Sequence, residues 1–224
     1  YNAVDGVNFC GEKVDLDGAR LAQRDITPPD AGMEAIARGL LDGRDRGRIV
    51  IEGQSGKDGL IQSGTNTGTM IKDSVITADV IEVKEGARIE AQLFAMDSVI
   101  IKSGAVLEYP SGVYCRGVVI QEDGSEVNGY VMPQADDNDS GKQPYFRMGK
   151  DAVVRGLLYV DGNAQLSGKV SGAAYVGQLV YDSKRGRYSN VLFDASIVEN
   201  RNVAYPLWLS ANGQRRTMKT EHIL

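Results

Sequence analysis

From Met70 onward, apolar or small residues recur at every sixth position. Ile71, Thr77, Val83, Ile89, Ala95, Ile101, Leu107, Val113 and Val119 are apolar at eight of nine places. The residues two before them, from Thr69, Val75, Ile81 and Ala87 through Leu93, Val99, Ala105, Ser111 and Gly117, are all aliphatic or small. Side chains two apart on a strand share a face, so each hexad supplies one inward pair. Between the pairs stand turn formers such as Asp73-Ser74, Glu85-Gly86, Asp97-Ser98, Ser103-Gly104 and Tyr109-Pro110. Three hexads make eighteen residues, and "KEGARIE" at Lys84 is echoed eighteen residues on by "KSGAVLE" at Lys102. This spacing predicts an all-β chain: a single-stranded parallel β-helix, three-sided, with ~18 residues per coil and Ile89 stacked on Leu107. Ala87, Ile89, Val99, Ile101, Ala105 and Leu107 are expected to point into one core.

A different period marks the start. In "PPDAGMEAIARGLLDG", Met33, Ile36, Ala37, Leu40 and Leu41 fall at helical spacing after a Pro-Pro-Asp entry, and Gly43 offers an exit. A capping helix laid over the open end of the core is expected here. The chain then divides into an N-terminal segment, 1–48, carrying that helix; the β-helix, 49–200, interrupted by a loop at 121–147 rich in Asp, Asn, Gly and Ser; and a tail, 201–224, with the only Trp. Beyond the loop the rhythm resumes in a new register, with "GLLYV" at Gly156 and "GAAYV" at Gly172.

The stretch "ADVIEVKEGARIEAQLFAMDSVIIKSGAVLE", Ala78 to Glu108, resembles the bactofilins, bacterial polymer-forming cytoskeletal proteins. The likeness covers the repeat regions, about 70–120 and 150–180. It implies a β-helix with right-handed winding as the favoured hand, no cofactor, and end-to-end assembly. The long loop, the N-terminal helix and the Trp-bearing tail depart from the bactofilin pattern, and end segments of that kind would block stacking.

Composition excludes several classes. A net charge of −5 argues against nucleic acid as a partner. Cys10 and Cys115 form no metal-binding pattern and leave one bridge open. No apolar run reaches the ~18 residues of a transmembrane helix. The chain opens at Tyr1 without Met, which reads as a mature or trimmed start. The setting is unknown from these residues, an envelope or extracellular one being favoured and the cytoplasm still open.

No catalytic, cofactor-binding or metal-ligating residue stands out. Hexapeptide-repeat acyltransferases share nearly this period but commonly use a histidine base, and the sole histidine, His222, lies at the chain's end. Asp136, Asp137 and Asp139, or Glu122 and Asp123, would be the acids of a sugar-cleaving β-helix, but they sit in a turn-rich stretch. Asp136, Asn138, Ser140 and Gly141 mimic the first half of a calcium loop, with Arg147 where its closing Glu belongs. "GQSGKDG" at Gly53 lacks the first Gly and the Ser or Thr of a phosphate loop, and "RDRGR" at Arg44 is a short mixed-charge turn.

One pattern asks for a partner. The outward residue of each hexad should be polar, yet Met70, Ile76, Phe94, Ile100, Val106 and Val118 are apolar. This stripe is expected to be covered by the helix over Met33–Leu41, by the tail over Tyr205–Leu209, or by a second copy. The reading is therefore a non-enzymatic structural, scaffold or adhesive protein of a bacterial envelope or surface, with self-association or a cell-surface or polysaccharide partner. A carbohydrate-binding or carbohydrate-cleaving β-helix is the alternative.

Overall fold

A computed structural model describes residues 31–54, 57–62, 71, 74–135 and 143–200. One helix, α1 (Ala31–Asp42), is followed by a hairpin, β1 (Asp45–Gln54) and β2 (Lys57–Gln62), and then by β3 (Ser74–Val83) and β4 (Arg88–Ile89). Next come β5 (Ala91–Ile101), β6 (Val106–Cys115), β7 (Val118–Gln121), β8 (Glu126–Pro133) and β9 (Tyr145–Met148). The longest strands, β10 (Val153–Gln165) and β11 (Lys169–Ser183), precede β12 (Gly186–Ser189) and β13 (Ser196–Val198).

The described residues are mostly strand, 67%, but the three-sided single-stranded β-helix expected from the hexads is not what forms. The strand pairings close on themselves: β5 with β7, β7 with β9, β9 with β10, β10 with β8, β8 with β6, and β6 with β5, all parallel. The result is a closed barrel of six parallel strands with further strands outside it. β3, β1 and β2 extend from β5; β4 lies beside β6; β11 lies on β10 and carries β12 and β13.

The reason lies at the corners. Asp97-Ser98 and Tyr109-Pro110, read as turns, are interior to β5 and β6. A strand that bends without breaking can serve two neighbours. Gln92–Ala95 of β5 pairs with Gly112–Cys115 of β6, while Ser98–Ile101 pairs with Val118–Gln121 of β7. That double use closes the ring, and a period of six carries no trace of it. Nor is 121–147 one long loop: β8 fills Glu126–Pro133 and β9 starts at Tyr145, which leaves a short turn at 122–125 and a connection between the two strands.

Local register keeps what the echo promised. Arg88 faces Val106 and Ile89 faces Leu107, eighteen residues apart. Turns follow suit: Gly86, Gly104, Gly124 and Asp151 take positive φ of 69°, 67°, 66° and 56°. They stack through Gly86 N to Ser103 O, Gly104 N to Asp123 O and Gly124 N to Lys150 O. Glycine adopts this left-handed geometry without strain, and Asp is among the residues that tolerate it.

Side chains fill the barrel. Ala87, Ile89, Val99, Ile101, Ala105 and Leu107 are all buried in one cluster that runs on through Val113, Val119, Val131, Phe146, Val154 and Leu158. The inward phase slips in β3, where Ile76 and Ala78 are buried while Val75 is 56% exposed. Between Ala78 and Val80 the register shifts, because β5 sets two residues, Met96 and Asp97, opposite Asp79, and beyond it Ile81 and Val83 face inward as the hexads expect. Two polar side chains inside are tied to the backbone. Ser111 Oγ accepts from Ala91 N at 3.1 Å, and Gln121 Nε2 donates to Ser125 O and Val153 O at 3.1 and 3.0 Å.

The helix is not a plug over an open end. Ala37 and Leu41 pack on the outer side of the sheet, in a second apolar cluster with Phe94.

Candidate functional site: an outer aromatic layer

Strand alternation that sends Leu93, Val113, Val131 and Leu158 inward sends their neighbours outward. Outside, Phe94 lies opposite Tyr114, and Tyr114 opposite Met132. One row over, Gly112 lies opposite Tyr130, Tyr130 opposite Leu157, and Leu157 opposite Ala173. Tyr159 lies opposite Tyr175. These residues form one apolar layer of five adjacent strands, β5, β6, β8, β10 and β11, with Met96 at its margin. The Phe94 and Tyr114 rings are 5.8 Å apart and tilted by 32°, within the range of favourable aromatic pairs.

The layer has few polar atoms, and the best defined is held in place. Tyr130 Oη donates to Gln92 Oε1 at 2.7 Å, and Gln92 Nε2 in turn donates to Pro110 O. Gly112 stands between them. A Cβ there would come within 2.1 Å of the Tyr130 ring and 2.5 Å of Gln92 Oε1, so only glycine leaves the path open. Burial, with Asp161 adding a smaller push, raises the Tyr159 hydroxyl to about 12.

At the Phe94 end the layer is roofed by α1 through Ala37 and Leu41, with Leu40 partly buried beside them. At the other end Ala173 and Tyr175 are half-buried.

The stripe read from the sequence is dispersed. Phe94 belongs to the layer, but Ile76 lies in the barrel core: it pairs with Leu93, while Phe94 pairs with Thr77. The eighteen-residue spacing fails here because this pairing precedes the extra residue of β5 and runs seventeen residues apart. Ile100 lies between Glu82 and Ile120, and Val106 between Arg88 and Glu126, on other outer faces; both are half-buried, as is Val118. Met70 lies outside the described residues, as do the tail over Tyr205–Leu209, His222 and Cys10. The hexad reading missed Tyr114, Tyr130, Met132, Leu157 and Tyr159. The signal was there in "GLLYV" and "GAAYV", whose Gly156 and Gly172 do pair, because each phrase repeats a tyrosine at one parity.

The acidic and basic candidates are occupied in the framework. Glu122 pairs with Lys102 at 2.6 Å, and Asp123 Oδ1 accepts from Lys150 N at 2.8 Å within the turn column. Asp136, Asp137, Asn138, Asp139, Ser140 and Gly141 lie outside the described residues. Of "GQSGKDG", Gly53 and Gln54 end β1 and Lys57, Asp58 and Gly59 begin β2, and the basic run from Arg44 leads into β1. There Arg44 meets Asp79 at 2.5 Å, and Arg48 pairs with the buried Glu82, which Lys84 also reaches at 2.9 Å. A buried carboxylate between two cations fixes register.

Among the described residues no group of three or more His, Cys, Asp or Glu side chains gathers as a metal site would, and no helix is long and apolar enough to cross a membrane. Comparison with protein-family models, with curated proteins and with solved structures finds no match.

Proposed function

We propose that this chain is a structural protein, a scaffold or adhesive element of a bacterial envelope or surface, working through its outer aromatic layer. The observation that carries the reading is the open margin of that layer: Met96, Ala173 and Tyr175 are half-buried and continue the apolar rows of Phe94, Tyr114, Tyr130 and Leu157. Such a surface favours another apolar surface, because burial gains about 25 cal/mol per Å² whatever the partner's sequence.

Light scattering on the full chain over a wide concentration range tests this. Assembly above one chain is expected, and Tyr175→Lys at the half-buried end of the layer should abolish it while leaving the thermal melt in place. A chain that stays monomeric throughout, but is retarded by polysaccharide in a gel, would overturn the reading in favour of carbohydrate binding.

A further inference from the structure

The exit of the roof over Phe94 is tied to β3 through Asp79. Asp79 lies where β3 and β5 shift register, with two β5 residues, Met96 and Asp97, set opposite it. One oxygen accepts from Arg44 Nε at 2.5 Å, and the other accepts from Gly47 N at 3.0 Å. The same guanidinium reaches back through Nη1 to Leu41 O at 2.8 Å, closing the last turn of the helix. One carboxylate therefore holds the exit of α1, the start of β1 and the middle of β3 together. α1 also packs on the barrel through Ala37, Leu40 and Leu41. A helix of twelve residues has little stability of its own in water.

We propose that Asp79 is a latch that keeps α1 seated as a removable cover on the Phe94 end of the aromatic layer. With the latch closed, Phe94 and Tyr114 are buried; with it open, α1 unwinds and lifts, and a platform for a second copy of the chain is uncovered. The purpose of such a latch depends on the layer being a contact surface, as proposed above; its existence does not.

Hydrogen exchange on the full chain tests the latch directly. In Asp79→Ala, the amides of α1 should exchange about tenfold faster or more, while those of β5 and β8 keep their protection. Glu122→Ala, which removes a comparable ion pair elsewhere, should leave α1 unchanged. Two results would overturn the proposal. One is α1 protection in Asp79→Ala within about twofold of the unaltered chain. The other is loss of protection in β5 and β8 together with α1, since the carboxylate would then support the whole barrel. Light scattering of the same variant separates the two ideas. If α1 is released and the chain still scatters as a monomer, the latch stands and self-association through this layer falls.

Discussion

Gly129, Gly156 and Gly172 lie opposite one another on β8, β10 and β11 with φ of 148°, 142° and 147°. A Cβ on Gly156 would come within 1.8 Å of Gly129 O, and one on Gly172 within 2.1 Å of Gly156 O. Both the conformation and the contact demand glycine. Gly156→Ala should therefore lose about 3 kcal/mol or more in chemical denaturation, far above an ordinary surface change. At Asp79, the Arg44 hydrogen bond is the main force holding the carboxyl below its usual 3.8. A lowered folded pKa means a contribution present above the unfolded value and lost as pH falls through the folded one. Acid titration of stability should thus show a decline below about pH 4 that shrinks in Asp79→Ala.

At the scale of elements, β5 shows how far the sequence could be read. Leu93, Ala95, Val99 and Ile101 were correctly assigned to the core, because a buried face leaves a period-two signature that burial itself enforces. Ile101→Asp should put an unpaired carboxylate among them and cost more than about 4 kcal/mol, enough to abolish the thermal melt. The bend at Asp97-Ser98 left no such signature. Gly, Asp and Ser mark a turn and a corner inside a continuous strand equally well, so the choice of neighbour on each side of the bend stayed hidden. The register shift between β3 and β5 was hidden for a related reason. Val75 and Thr77 suit a strand on either face, and only the pairing of Ile76 with Leu93 reveals the slip. Of the candidate surface, Phe94 was legible as an outward apolar residue, but its companions were not, since they come from strands far along the chain. Gly112 offers a check on that assembled layer. In Gly112→Ala the new methyl meets Tyr130 and Gln92, and the hydrogen bond between them should break, at a cost of about 1–3 kcal/mol. Tyrosine fluorescence should change with it.

The whole molecule differs from the expected solenoid in how it should come apart. In a stack of coils each turn touches only its neighbours, so the ends fray and the stack can unravel piece by piece. In the closed ring, β5 and β6, early in the chain, share hydrogen bonds with each other and, through β7, β9, β10 and β8, with strands more than fifty residues away. Opening any one pair breaks the closure that every other pair depends on. The barrel from Ala91 to Gln165 should therefore unfold in a single cooperative transition, with calorimetric and van't Hoff enthalpies in agreement. Hydrogen exchange should give one common protection for the amides of Val99, Val113 and Val154, set by global unfolding, while β12 and β13 outside the ring open at lower cost. Substituting Leu158→Asp in β10 should then destroy protection at Val99 in β5 as completely as Ile101→Asp does. Protection that instead decays stepwise from β10 towards β5 would mean that the strands act as independent layers and that ring closure adds nothing to stability.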